Sequence, residues 1–295
     1  MTSSRPARRF DWNNLGMRAA SAAVLIPAVL GAIFVGWLFL IVIAISVALL
    51  AVEWGGMSAV RSGSQIATAV TVVVLGALFA AYLHHFGIAW SLVAAGAVVL
   101  ALFALVLRER PGDAAFGVIY IAAPCLALTW LRAMPNPISW TILLFTVTWS
   151  ADICAFFVGN ALKGPKLWPR LSPNKTWSGF FGGLAGAMGV AMLVTSIWTA
   201  KIHLTAAAIV GLTGGPTIST ARLSLTAAGV IGLAGGVATM AGDLCESMLK
   251  RRFGVKDSGD LIPGHGGLLD RVDGLMFAVL AIAGARLIYQ TGWAR

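Results

Sequence analysis

The stretch KDSGDLIPGHGGLLDRVDG, residues 256–274, gathers side chains that bind metals and phosphates, namely Asp257, Asp260, His265, Asp270 and Asp273. Asp270 and Asp273 are three residues apart, so a helix that begins here would carry both carboxylates on one face. The positive end of the helix dipole stabilises carboxylates in that position, but two close carboxylates also repel each other. A hard cation such as Mg²⁺ is the ordinary way to neutralise such a pair. The glycines at 264, 266 and 267 would let backbone N–H groups approach a phosphate, and His265 is either a phosphate contact or a hydrogen-bonding loop residue.

A second polar cluster precedes this stretch in AGDLCESMLKRR, residues 241–252. Asp243, Glu246 and Lys250 are spaced three and four residues apart, which places them on one face of a helix. Glu246 and Lys250 form either an ion pair that anchors the helix end or part of a site. Asp243 should lie in or near the membrane, where an ionised group must be paired or bound to something. If loop 251–269 folds back, Asp243 joins Asp270 and Asp273 in one Mg²⁺ site.

Two further features are candidates for the same site. The segment GNALKGPKLWPRLSPNKTW, residues 159–177, carries Lys163, Lys166, Arg170 and Lys175 and no acid. It is either a basic loop that faces anionic lipids or a surface that binds a triphosphate or a lipid phosphate. Asp152 lies inside an apolar run, where an ionisable residue indicates a site, or else a hydrogen bond between helices. Glu53, at the end of another apolar run, is explained by anchoring at the membrane interface.

The type of chemistry follows from which residues occur together. The sequence contains no Ser/His/Asp or Cys/His arrangement and no HExxH motif. The candidate functional residues are therefore carboxylates, lysines, arginines and glycines. This set is typical of metal-assisted phosphoryl or nucleotidyl transfer, in which positioning and charge neutralisation do most of the catalysis.

These residues must be positioned by helices in a membrane. The chain of 295 residues is 59% hydrophobic and 11% charged, with a mean hydropathy of +0.88, which excludes an ordinary soluble protein. Apolar runs long enough to cross the bilayer recur along it. The sequence predicts an all-α polytopic membrane protein with about nine spans, near 18–35, 37–53, 66–83, 88–107, 114–131, 138–160, 178–198, 223–247 and 274–291. The short apolar segment 204–213 is predicted to belong to an interfacial loop.

The distribution of charge predicts the orientation. With the N-terminus in the cytoplasm, most of the 21 lysines and arginines fall in cytoplasmic segments, as the positive-inside rule requires. The net charge of +10 is therefore a topology signal and does not indicate a nucleic-acid partner. All 11 carboxylates fall on the cytoplasmic side or in spans near it. A channel or transporter would spread its polar groups along a path to the other face.

The domain organisation follows from these spans. Residues 1–137 are predicted to form an N-terminal region of about five spans. Residues 138–295 are predicted to form the catalytic region, with cytoplasmic loops 161–177 and 250–273. Glycines at small-xxx-small spacing, as in Gly182 to Gly186 and Gly232 to Gly236, predict close helix packing and also allow a homodimer.

The segment Ser247–Asp273, SMLKRRFGVKDSGDLIPGHGGLLDRVD, resembles the signature of the phosphatidate cytidylyltransferases, the CDP-diacylglycerol synthases. The pattern of that family is filled here by Ser247, Lys250, Arg251, Lys256, Asp257, Pro263, His265, Gly266, Gly267, Asp270, Arg271 and Asp273. The segments GDLCES and LSPNKTW are also similar to the family. One position departs from it, because Ser178 stands where the family usually has Glu.

The resemblance implies the conversion of CTP and phosphatidic acid into CDP-diacylglycerol and pyrophosphate, with Mg²⁺ required and a second cation left open. It implies Asp243, Asp270 and then Asp273 as metal ligands, and places Lys250 and Arg271 at the catalytic centre beside Asp243 and Asp270. The substrate-binding residues that it implies are Lys175, Ser172, Arg251, Lys256, Asp257, His265, Gly266, Gly267 and Asp152. The active site would face the cytoplasm from the cell membrane, with membrane lipids as its surroundings.

Two alternatives remain open at this point. One is another CTP-dependent membrane lipid transferase or kinase, which competition among lipid acceptors would distinguish. The other is an ion-coupled transporter with Asp152 and Asp243 as a relay. The one-sided distribution of carboxylates argues against the transporter.

Overall fold

The computed structural model describes residues 27, 29, 31–169, 171–213, 223–259 and 266–291. Within these ranges, after a short helical segment at 31–34, lie eight helices, which we number α1 (Gly36–Ser58), α2 (Gly63–Tyr82), α3 (Phe86–Val106), α4 (Pro111–Ala133), α5 (Pro137–Leu162), α6 (Trp177–Thr213), α7 (Leu225–Arg252) and α8 (Leu269–Gln290). Between α5 and α6 lies an antiparallel hairpin of two short strands, β1 (Lys166–Trp168) and β2 (Ser172–Thr176).

Each of the eight helices is long and apolar enough to cross a membrane, which confirms the prediction of an all-α polytopic fold. The first predicted span, 18–35, lies largely outside the described residues; residues 31–34 are helical and Val35 interrupts the helix before α1. The prediction of an interfacial loop at 204–213 is wrong, because α6 continues to Thr213. The strong breakers in the sequence, Gly214, Gly215 and Pro216, come only after that residue.

The helices share two hydrophobic clusters. The first is formed by α1 to α4 with Leu249, Leu269 and Met276 from α7 and α8. The second is formed by the end of α4 with α5, α6, α7 and the later turns of α8. Helices α4, α7 and α8 contribute to both clusters. The division predicted at residue 137 coincides with the start of α5 and stays a prediction.

Glycines allow α5, α6 and α7 to approach one another closely, as the small-xxx-small spacing predicts. A Cβ atom on Gly182 would lie 2.5 Å from Cβ of Val158, and one on Gly232 would lie 2.6 Å from the carbonyl oxygen of Ala187. These distances are shorter than any normal contact. The two pairs of glycines therefore serve helix packing, which confirms the prediction of close helix packing.

We expect Gly117→Ala to destabilise the fold. An added Cβ would lie 2.1 Å from Nε1 of Trp54, whose indole is buried and donates a hydrogen bond to the carbonyl oxygen of Asp113. Overpacking of this kind costs about 1–3 kcal/mol of unfolding free energy. Thermal unfolding in detergent should show a lower Tm for Gly117→Ala. The matched control is Gly112→Ala in the same helix, where nothing lies within 4 Å, and an equal loss in both variants would contradict the packing account.

One end of the bundle collects the polar loops, and we call it the polar end. It comprises the loops 59–62, 107–110, 163–176 and 253–268, as far as these are described. Glu109 accepts hydrogen bonds from the backbone N–H groups of residues 60–62, and the bond from Arg61 contributes most to lowering the pKa of this carboxyl. Arg252 at the end of α7 pairs with Asp113 at the start of α4. These contacts join the loops 59–62 and 107–110 to each other and the end of α7 to the start of α4.

Candidate active site

A polar cavity of about 550 Å³ opens at the polar end between α5, the hairpin, α6 and α7. Its polar lining consists of Asp152, Asn160, Lys166, Asn174, Lys175, Thr176 and Asp243, and Phe156, Phe180 and Met240 add apolar surface. A cavity of this size is typical of sites for small molecules and nucleotides. The basic segment 159–177 therefore contributes side chains to a cavity as well as a surface loop.

An ion pair between Lys175 and Asp243 joins the hairpin to α7 inside this cavity. The pair remains accessible, because 23% of the Lys175 side chain and 39% of the Asp243 side chain are exposed. Asp152 on α5 and Asp273 on α8 lie within electrostatic range of both members of the pair. Three carboxylates thus surround one lysine, and this arrangement would attract a cation.

The approach of Asp273 to Asp243 depends on Gly242. A Cβ atom on Gly242 would lie 2.3 Å from the carbonyl oxygen of Asp273, so no larger residue fits between α7 and α8 here. Asp243 is the next residue on α7. The close crossing of the two helices therefore brings the Asp273 carboxylate of α8 into electrostatic range of Asp243 on α7.

A second cluster lies where α7 and α8 meet at the polar end. Lys250 Nζ is 2.7 Å from Glu246 Oε2 and 2.7 Å from Asp270 Oδ1. The ion pair between Glu246 and Lys250, one of the two alternatives left open by the sequence, is present. Glu246 is buried, so the pair is not an exposed anchor at the helix end. Asp270 Oδ2 accepts hydrogen bonds from the backbone N–H groups of Ser258 and Gly267, at 3.1 and 3.2 Å. Both oxygens of Asp270 are therefore occupied by donors from the protein.

The donor groups decide which residues fit a metal. In the part of the chain that the structure describes, no group of three or more His, Cys, Asp or Glu side chains is arranged to hold a metal ion. Mg²⁺ often takes only one or two protein carboxylates and completes its shell with water and substrate phosphate. Asp243 fits that role in the cavity lining, with Asp273 within electrostatic range of it, whereas Asp270 is already paired with Lys250. The predicted set of three metal ligands stays a prediction.

The other predicted residues lie around these two clusters. Arg251, Lys256 and Asp257 are exposed at the polar end, and Arg271 is exposed in the first turn of α8. Ser172 is half-buried and lies opposite Trp168 in the hairpin. Gly266 has a positive φ of 82°, while the N–H group of Gly267 donates to Asp270. His265 lies outside the described residues. The cavity thus brings together Asp152, Lys175 and Asp243 but not the exposed loop residues.

Sequence reasoning missed two residues of the second cluster. Glu53 is only 3% exposed, and its carboxylate accepts backbone hydrogen bonds at the start of α8. The hydroxyl of Ser258 lies between the carboxylates of Glu53 and Asp270. A carboxylate in an otherwise apolar helix was a usable signal for Glu53. Nothing in the local sequence indicates the role of Ser258, because its partners come from two other helices.

Comparison with known proteins yields a family model, described as the cytidylyltransferase family, that matches residues 16–288. The chain belongs to the cytidylyltransferase family. A phosphatidate cytidylyltransferase of Brucella suis is 36% identical over 299 residues, covering 95% of this chain and 94% of that protein. A phosphatidate cytidylyltransferase of Pseudomonas aeruginosa is 31% identical over 292 residues, covering 95% of this chain and 98% of that protein.

One position of this family member departs from the expected pattern. Ser178, where the family usually has Glu, lies in the first turn of α6. Its hydroxyl accepts a hydrogen bond from the N–H group of Gly164 and lies 3.1 Å from Oγ1 of Thr176. Thr176 in turn accepts a hydrogen bond from the N–H group of Gly179. Two hydroxyls therefore tie the hairpin to the start of α6 in this cytidylyltransferase, without a carboxylate.

We expect Lys175→Ala to raise the apparent KM for an anionic substrate by about 10-fold or more, because one charge-assisted contact is worth about 1.5–3 kcal/mol. Steady-state kinetics with each substrate varied in turn would measure the change. The matched control is Lys163→Ala, which removes a lysine from the same basic segment but not from the cavity lining. Unchanged KM values for both substrates in Lys175→Ala would contradict substrate binding by the hairpin and leave it only the role of a basic loop that faces anionic lipids.

Proposed function

We propose that this chain is a phosphatidate cytidylyltransferase, which makes CDP-diacylglycerol and pyrophosphate from CTP and phosphatidic acid. The observation that carries the proposal is the cavity lined by Lys175, Asp243 and Asp152 at the polar end of the bundle. Its lysines and carboxylates suit a phosphate chain and its cation. The names of the two relatives aligned over nearly the whole chain support the same activity.

The proposed reaction is a single displacement. An oxygen of the lipid phosphate attacks the α-phosphorus of CTP and forms a new P–O bond. The bond from the α-phosphorus to the oxygen that bridges to the β-phosphorus breaks, and pyrophosphate leaves with that oxygen. The nucleophile is already anionic, so the reaction needs no strong general base. A site that positions the two phosphates and neutralises their charge is sufficient.

The residues of the chain take separate parts in this reaction. Lys175 would contact a substrate phosphate when it exchanges its partner Asp243 for it. Asp243 and Asp273 would hold Mg²⁺, which when bound neutralises charge on the phosphate oxygens. Asp270 would orient Lys250 toward the substrates. The exposed Arg251, Lys256 and Arg271 would draw anionic substrates to the polar end. Asp152 would be a residue of the pocket.

We further propose that the chain lies in the cell membrane with its polar end in the cytoplasm. The excess of lysine and arginine in the loops of that end supports this orientation. CTP would then arrive from the aqueous side, and phosphatidic acid would arrive from the adjoining leaflet. Both phosphates would meet at one depth, next to the cavity.

A label-transfer experiment tests the reaction type. The purified protein in mixed micelles receives phosphatidic acid, Mg²⁺ and CTP labelled with ³²P at either the α- or the γ-position. We expect α-label in the lipid and γ-label in pyrophosphate. Transfer of the γ-label to a lipid would indicate a kinase and contradict the proposal. An ion-coupled transporter would transfer neither label but would give flux across sealed vesicles without CTP.

A further inference from the structure

Glu53 is a buried acid whose hydrogen-bond partners lie in the loop before α8 and at the start of that helix. Its carboxylate accepts hydrogen bonds from the N–H groups of Leu268 at 2.6 Å and Leu269 at 2.7 Å, and it lies 3.1 Å from the hydroxyl of Ser258. Leu268 and Leu269 begin α8, so a carboxylate from α1 caps the helix that carries Asp270. Within the described ranges, none of the ion pairs involves Glu53.

Ser258 connects this cap to Asp270. Its hydroxyl lies 3.1 Å from Glu53 Oε2 and 3.0 Å from Asp270 Oδ2. A hydroxyl has one hydrogen, so it donates to one of the two carboxylates at a time. Asp270 binds Lys250 through its other oxygen, at 2.7 Å. A continuous chain of polar contacts therefore runs from α1 through the loop before α8 to a lysine on α7.

The space around these contacts is filled. A Cβ atom on Gly267 would lie 1.9 Å from Oγ of Ser258 and 2.8 Å from Oε2 of Glu53. A Cβ atom on Gly259 would lie 3.2 Å from Cγ of Glu53. Ser258 and Gly267 thus cannot move away from this position without breaking bonds to a largely buried carboxylate, and breaking such bonds is costly. Tight packing and paired charges together restrict where Asp270 can lie.

We propose that Glu53 is a positioning residue: through Ser258 and the first N–H groups of α8, it fixes the location of Asp270 and Lys250 relative to the substrates. The inference rests on the proposed function, because it assigns Glu53 a part in cytidylyl transfer. Glu53 is not the only residue that joins helices at the polar end, since the pair of Arg252 and Asp113 joins α7 to α4 independently. Glu53 therefore acts on the geometry of the cluster more than on the assembly of the bundle.

The test is a double-mutant cycle on kcat with Glu53→Gln and Ser258→Ala. We expect each single variant to lower kcat by about 10- to 100-fold with a KM for CTP close to that of the parent protein, since a small misplacement can cost that much. Both substitutions interrupt one path, so the double variant should be no slower than the slower single variant. Losses that multiply in the double variant, or a normal kcat in Glu53→Gln, would overturn the inference.

A matched control separates positioning from stability. Asp113→Asn weakens another buried carboxylate contact at the same end, and we expect a lower Tm, a kcat near that of the parent protein and additive behaviour with Ser258→Ala. Hydrogen–deuterium exchange gives a readout that does not need activity. Glu53→Gln should speed exchange in peptides covering 255–259 and 266–272, and Asp113→Asn should not. Unchanged exchange in Glu53→Gln would overturn the inference, whereas an inactive parent protein would instead refute the proposed function.

Discussion

Asp270→Asn is expected to lower kcat by about 1,000-fold, the upper end of the range seen when one preorganised polar group is removed from an active site. The Asp270 carboxylate accepts from Lys250 at one oxygen and from the N–H groups of Ser258 and Gly267 at the other. An amide NH₂ group would oppose one of these donors in either orientation. Lys250 would then lose its partner or the loop before α8 would shift.

The measurement is kcat of the purified variant in mixed micelles, with its Tm recorded alongside. The control is Glu109→Gln, since that carboxylate also accepts three backbone hydrogen bonds at the polar end but lies outside the two clusters. We expect Glu109→Gln to keep the turnover of the parent protein. An Asp270→Asn variant with near-normal turnover would contradict any role for Asp270 in binding a metal or in orienting Lys250.

Asp243→Asn is expected to have an effect of similar size, about 1,000-fold on kcat. Asp243 pairs with Lys175 within the cavity, and Asp152 and Asp273 lie within electrostatic range. Loss of its charge would weaken the attraction for a cation and release Lys175. The variant should also need more Mg²⁺ to reach half of its own maximal rate, which a titration with the metal would measure.

A double variant distinguishes catalysis from a structural ion pair. If the pair only held the hairpin against α7, removing both charges in Lys175→Met/Asp243→Asn would be no worse than removing one. If each residue contacts a substrate or its cation, the double variant should be slower than either single variant. Recovery of turnover in the double variant would contradict the assignment of both residues to the reaction.

The positions of the helices along the chain could be predicted well from the sequence, because hydropathy and small-residue spacing are local signals. The eight described spans begin and end within a few residues of their predicted positions, apart from the long α6 and the polar ends of α1, α7 and α8, which all extend beyond the prediction. Helix α6 was predicted too short, because a moderately apolar stretch such as 204–213 does not show whether it continues a helix. The i,i+4 pair of Glu246 and Lys250 was predictable for the same local reason.

The contacts of the site were less predictable, because they join segments that are distant along the chain. The spacing of Asp270 and Asp273 indicated a shared face, yet Asp270 binds Lys250 while Asp273 lies within electrostatic range of Asp243 and Asp152. Which carboxylate receives a lysine depends on how α7 crosses α8 at Gly242. Glu53 was assigned to the membrane interface because its partners, Leu268 and Leu269, follow a loop that the sequence does not connect to α1.

The central claim is that this chain joins CTP to phosphatidic acid. The most direct measurement follows pyrophosphate and lipid product together, using the purified full-length protein in mixed micelles with CTP, phosphatidic acid and Mg²⁺. The account predicts pyrophosphate release that requires all three components and equals the CDP-diacylglycerol formed, mole for mole. Pyrophosphate release without phosphatidic acid, or no product from a protein shown to be folded, would contradict the account.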